Sequence, residues 1–200
     1  MMRLRHSSSS PFVRKVMVAL IETGQLDAVQ IENGATSPLD PNPENLAVNP
    51  VGKIPCLVLP SGQSLYDSRV ITRYLDTLHG GPKLYPEGDA LWSVLVMEAT
   101  ADAMLDAAVG IVYERRLREE AKRSETWMAA QQGKIARALD WLESQKHSDK
   151  VDMGQLSVAC ALGYLDLRFP EWDWRTGRSS LASWYKRAAR RPSMQSTQPS

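Results

Sequence analysis

Three short stretches carry side chains whose types and spacing suit chemistry. They are Ser9-Ser10-Pro11, Ile54-Pro55 at the end of Asn49-Pro50-Val51-Gly52-Lys53, and Asp67-Ser68. Ser10 before Pro11 reads as a helix cap with proline at the first helical position, which sets a hydroxyl beside the free amides of a helix start. Such a start with a nearby donor lowers a thiol pKa from about 8.5 to between about 3.5 and 7.5, and the thiolate is the nucleophile. Pro55 has no amide hydrogen and tolerates a cis bond, so a strand entered there breaks its ladder and leaves Ile54 with backbone groups for an extended peptide. Asp67-Ser68 opens an apolar-periodic segment, and helix amides at such a start attract a carboxylate. Ile54-Pro55 and Asp67-Ser68 together describe a peptide-binding edge, one that suits an extended thiol peptide. Singly, each has a plainer reading: caps at Ser10 and Asp67, and an edge-strand proline at Pro55.

These stretches need elements to hold them. Met2 to His6 reads as a strand, and a helix follows to Gly24 with Val13, Val16, Met17 and Leu20 three or four apart. Arg14 and Lys15 are assigned to its exposed side. Val29 to Ile31 is a second strand, and the aperiodic, Gly- and Pro-containing stretch from Asn33 to Pro43 is a loop. Cys56 to Leu59, a turn at Pro60-Ser61-Gly62-Gln63, and Ser64 to Tyr66 make an antiparallel hairpin. The next helix, Ser68 to Leu78, puts Val70, Ile71, Tyr74, Leu75 and Leu78 on one face. The resulting order, β-α-β-(loop)-β-β-α, resembles a thioredoxin-like domain over residues 1–78.

The glycines and prolines of residues 79–88 predict a linker, and residues 89–200 an all-α helical domain. Its helices are expected from Asp89 to Arg118, bent at Gly110, from Glu125 to Gln145, from Leu156 to Leu167 behind a capping box of Asp152 and Gln155, and from Ser180 to Arg190. A chain of 200 residues that is 43% hydrophobic supports two cores. The net charge of +1 gives no reason to expect a nucleic-acid or membrane partner. No apolar run approaches the roughly 18–20 residues of a membrane span, and basic residues interrupt the first twenty. Cys56 and Cys160 sit apart in apolar surroundings, which fits buried thiols in a reducing compartment, most simply the cytoplasm.

With the helix-start motif Ser9-Ser10-Pro11-Phe12-Val13-Arg14-Lys15-Val16, the Ile54-Pro55 edge, Asp67-Ser68 and the segments 152–155 and 159–168, nearly all of the chain resembles bacterial glutathione S-transferases of the serine type. The resemblance implies glutathione as co-substrate, with Ser10, or Ser9 one residue earlier, donating to its sulfur. It implies that Phe12 lies beside the tripeptide, that Ile54, next to Pro55, pairs its backbone with the cysteinyl part, that Asp67 meets the amino group and Ser68 the γ-glutamyl carboxylate, and that Lys53 approaches the glycyl carboxylate. A small apolar electrophile, a pocket for it shaped by the helical domain, a homodimer and detoxification are further implications. Met104 and Tyr113 are candidates for that pocket, although such residues on a long helix are more often core. A non-catalytic glutathione or ligand carrier and a glutathione-dependent disulfide reductase remain as alternatives. No cysteine stands among positions 7–10, which counts against disulfide exchange by the protein's own sulfur. His6, His79 and His147 form no ligand cluster, so no metal is expected. Lys186, Arg187, Arg190 and Arg191 suit a helix C-terminus without nucleic acid.

Overall fold

A computed structural model describes residues 1–199. The chain divides into two compact units, one of residues 1–86 together with the segment from Pro192 onward, the other spanning Glu87–Arg191. The closing segment, expected within the helical domain, therefore belongs to the first unit. Its short helix seats Met194 in that unit, fully buried, and Ser193 donates to the Glu22 carboxylate.

The first unit is built on four strands, β1 (Met2–His6), β2 (Val29–Asn33), β3 (Cys56–Val58) and β4 (Ser64–Leu65), in the order β2-β1-β3-β4. β1 runs parallel to β2 and antiparallel to β3, and β3 and β4 form the expected hairpin. Helices α1 (Pro11–Glu22) and α3 (Ser68–Thr77) bury Val16, Leu20, Ile71 and Leu75 with Met2, Leu4, Val29 and Leu57 of the sheet. The small sheet with these helices is the thioredoxin-like arrangement. Between β2 and β3 lies a helix the loop assignment missed, α2 (Pro43–Val48), capped by the Asn42 side chain on Glu44 N–H. At six residues it is too short to show a period.

Residues 84 and 85 are tied back to α3. The Asp76 carboxylate accepts from the amides of Leu84 (2.8 Å) and Tyr85 (3.1 Å), and both side chains are buried.

The second unit is helical: α4 (Ala90–Leu117), α5 (Glu125–Ser144), α6 (Met153–Arg168) and α7 (Ser179–Ala188). The last helix, α8 (Pro192–Ser196), belongs to the first unit. α5 buries Met128, Ile135, Leu139 and Leu142, the residues its spacing selected. α6 is buried from Met153 through Leu165, as expected of a helix apolar on every side. Asp152 caps it by accepting from Gln155 N–H at 2.9 Å. The Gln155 amide reaches back to the Asp152 carboxylate (3.1 Å) and on to the Lys150 carbonyl (2.8 Å), so it orders the preceding loop as well as the cap. Gly110 does not interrupt α4. It makes room for Trp127 of α5, whose ring would lie 2.9 Å from a β-carbon there. Cys56 and Cys160 are buried and form no disulfide. Among the described residues no helix is long and apolar enough to cross a membrane.

Gly154 sets how closely α6 approaches α4, because a β-carbon would stand 2.8 Å from the Val94 carbonyl oxygen. Backbone cannot yield as a side chain tip can, and overpacking costs about 1–3 kcal/mol, against the 0.8–1.0 kcal/mol or so that alanine gains over glycine in a helix. Gly154→Ala is expected to lower unfolding stability, read as a smaller urea midpoint at unchanged m-value.

Candidate active site

The register of the sheet determines what meets at its end. β1 pairs Arg5 with Cys56, so the chain leaving β1 toward Ser9 and Ser10 emerges beside the chain entering β3 through Ile54-Pro55. β4 pairs Leu65 with Leu57, so its exit toward Asp67 and Ser68 lies at the same end. All three predicted stretches are thus brought to one end of the first unit's sheet.

Ser10 is the N-cap of α1, its side-chain oxygen accepting from Val13 N–H at 3.3 Å. That bond uses a lone pair, so the hydroxyl hydrogen remains available to an acceptor outside the helix. Ser9 is exposed and its hydroxyl pairs with that of Ser7 at 3.1 Å. Phe12 is half-buried at the second position of the helix.

The Ile54-Pro55 peptide bond is cis, as is Tyr66-Asp67. Ile54 lies outside the ladder, whose last β1–β3 pair is Arg5 with Cys56. The approach to it is organised by Asn49, which is buried, donates its side-chain amide to the Lys53 carbonyl (2.8 Å) and accepts from Val51 N–H (3.0 Å). Gly52 turns the chain at φ +67°. The Lys53 side chain is exposed.

Asp67 caps α3 by accepting from Arg69 N–H at 3.0 Å, and its other oxygen pairs with the Arg69 guanidinium at 3.1 Å. Burial pushes the carboxyl's pKa up, but the Arg69 hydrogen bonds and charge, with that of Lys15, outweigh it and hold Asp67 below the usual carboxylate range. Ser68 is buried at the first position of the helix.

Lys15 corrects the sequence reading. It is fully buried (0% exposed), and Arg14 beside it is 6% exposed, where both were assigned to the solvent face of α1. Hydrophobic spacing alone does not show that α1 is covered on several sides, by the sheet, by α3 and by the segment after Pro192.

His6 is partly buried, and burial lowers its pKa. His79 pairs with Asp76 at 3.0 Å, and His147 stacks on Trp184. No cluster suited to a metal ion occurs among the described residues. In the second unit Met104 is core, whereas Tyr113 is exposed.

The match with family models covers residues 9–78, for the glutathione S-transferase N-terminal domain, and residues 125–187, for the C-terminal domain. The uncharacterized GST-like protein YibF of Escherichia coli K12 is 33% identical, over 99% of this chain and 98% of its own length. The chain belongs to the glutathione S-transferase family. A glutathione transferase family member from Pseudomonas fluorescens Pf-5, solved with bound glutathione, is 46% identical and matches over the full length of both chains with a TM-score of 0.98. A glutathione S-transferase from Methylobacillus flagellatus KT, solved with bound glutathione, is 34% identical with a TM-score of 0.88 over all of both chains.

For this family member, sequence reasoning missed Asn49, Lys15 and Arg69 as supports of the site. Asn49 and Arg69 stood within or beside the motifs already singled out, and their offsets of four and two residues from Lys53 and Asp67 suit local capping bonds. Lys15 had no such signal.

Asp67 holds a folded-state pKa below its unfolded value, so its stabilising share is present above about pH 4 and is lost as pH falls through the lowered value. Replacing the cap by Asp67→Ala is expected to cost about 0.5–2 kcal/mol at pH 7, and Asp67→Asn, which keeps the cap, less. Urea unfolding at pH 7 and pH 3 checks this, with the gap between parent and Asp67→Asn closing at the lower pH.

Proposed function

We propose that the protein binds glutathione at the shared end of the first unit's sheet and activates its thiol for attack on a small apolar electrophile. The observation that carries the reading is the convergence there of a capping hydroxyl, a strand entrance outside the ladder and a carboxylate at a helix start. The glutathione-bound relatives support it. On this reading the Ile54 backbone pairs with the cysteinyl residue, and Pro55 keeps that stretch out of the sheet. Asp67, ionised at neutral pH, accepts from the γ-glutamyl ammonium, while Ser68 and the α3 amides hold the neighbouring carboxylate. Lys53 takes the glycyl carboxylate, and Phe12 borders the sulfur.

Ser10 then does two jobs. One lone pair caps α1, and the hydroxyl hydrogen donates to sulfur, stabilising thiolate over thiol together with the helix start. A larger thiolate fraction at neutral pH and the fixed position of the sulfur supply the rate. The exposed Ser9, already paired with Ser7, is the secondary candidate.

A hydrogen bond to a charged group contributes about 1.5–3 kcal/mol, so Ser10→Ala is expected to lower kcat/KM about 10- to 100-fold with a reporter electrophile. Ultraviolet absorbance of the bound thiolate across pH should show its pKa rising by about one to two in the same variant. Unchanged kinetics in both Ser9→Ala and Ser10→Ala would remove the serine from the mechanism. Turnover of a small mixed disulfide without conjugation would turn the assignment toward reduction, and tight glutathione binding with neither activity toward a carrier.

The same proposal includes a homodimer in the cytoplasm. Trp92 and Val96, exposed one turn apart on α4, are apolar groups that a second copy would cover. Light scattering is expected to give twice the 22.3 kDa chain mass.

A further inference from the structure

Two tyrosines and two arginines gather at the C-terminal ends of α4 and α6 in the second unit. Tyr113 and Arg116 lie one turn apart on α4, and Tyr164 and Arg168 one turn apart on α6. Tyr164 is buried, whereas Tyr113 is 42% exposed. The guanidinium carbon of Arg168 stands 5.6 Å from the centre of the Tyr164 ring. Burial raises the Tyr164 pKa, the charges of Arg168 and Arg116 oppose that rise and Tyr113 adds to it, so the four groups share one neighbourhood. The carboxylates of these helices and of the turn after α6 are engaged elsewhere. Glu114 holds Arg118 and the Ser124 amide, Asp166 holds Arg175 and the Trp174 indole, and Glu171 holds Arg115. Two guanidiniums are left beside a pair of phenols.

Each of these arginines stands in the last turn of its helix, where a cation complements the helix dipole. That role accounts for only part of their charge. A helix end carries roughly half a negative charge, so two ends offset about one of the two positive charges and leave about one unmatched. Arg116 is exposed, and of the Arg168 nitrogens only Nε is enclosed without a partner. What Arg168 offers a ligand is therefore its terminal amino groups, in a planar fork that matches the two oxygens of a carboxylate. We propose that this cluster is a carboxylate site, with Arg116 and Arg168 taking the oxygens and the exposed Tyr113 ring bordering the apolar body of the ligand, and that the electrophile the protein conjugates carries such an acid group. Tyr113 joins the two halves of the proposal, because it is the accessible one of the two residues the sequence offers for the electrophile's pocket, Met104 being core. The substrate class rests on the transferase reading above. The carboxylate site does not.

Conjugation is measured with a benzoate that carries fluoro and nitro groups ortho to each other, and with its methyl ester, which lacks the charge. In each, the glutathione sulfur bonds to the ring carbon that bears fluorine, fluoride leaves with the bonding pair, and the thiol proton passes to solvent. The acid is expected to show a KM about tenfold lower than the ester's, the low end of what a hydrogen bond to a charged group supplies. Arg116→Gln and Arg168→Gln are each expected to raise the acid's KM about tenfold more than the ester's, and Arg168→Lys, which keeps the charge without the fork, to raise it less. Arg116 is exposed, so its variant keeps the test in force if Arg168→Gln is unstable. Binding of the fluorine-free nitrobenzoate, which cannot react, is followed by calorimetry and is expected to saturate and to weaken by a similar factor in either glutamine variant. Equal KM for acid and ester in the parent, or an acid KM that moves only with the ester's in both glutamine variants, overturns the proposal. If neither compound is turned over, calorimetry decides. Arginine-dependent binding of the nitrobenzoate upholds the carboxylate site and puts the fault in the transferase reading, and its absence overturns the site as well.

Discussion

The register of the three-residue strand β3 is the constraint on which the site depends. Its residues Cys56, Leu57 and Val58 are all buried, and it is hydrogen-bonded to β1 on one side and β4 on the other. A slip of one residue would exchange the faces of every side chain in it, so burial fixes the pairing strongly. That pairing decides where three distant parts of the chain come out. The loop after β1, the entrance to β3 and the exit of β4 share an end because β3 runs against both neighbours. The hydroxyl, the unladdered backbone and the carboxylate are therefore consequences of strand direction as much as of residue choice.

Electrostatics then acts on that frame from α1. Adjacent residues on a helix point about 100° apart, and Arg14 and Lys15 use that divergence to serve different neighbours. Lys15 reaches toward the start of α3, where its charge helps keep Asp67 ionised. Arg14 reaches toward the closing segment. A buried cation is costly unless paired or hydrogen-bonded. The helix thus ties two parts of the first unit to itself through charges rather than through apolar contact alone.

Much of this was legible in the sequence. The strands, the long helices and the three motifs follow from period, proline placement and capping chemistry, and these are local signals. What escaped depended on distance. The burial of Arg14 and Lys15 is decided by elements more than fifty residues away, including a segment after Pro192 that reads locally as the tail of a helical region. The short helix α2 escaped for the opposite reason: its signal, Asn42-Pro43-Glu44, is local and sound but six residues carry no period. At Gly110 the fold uses the residue's lack of a side chain to admit Trp127, a contact that helical period does not signal.

The return of the chain to its starting unit sets an order on synthesis. Domains generally fold as units, the N-terminal one first, while the ribosome is still extending the chain. Here the earlier body lacks its last piece until more than a hundred intervening residues have been translated. Until then Arg14 has no Met194 carbonyl to bond, and the nascent protein must carry an unfinished first half through most of its own elongation.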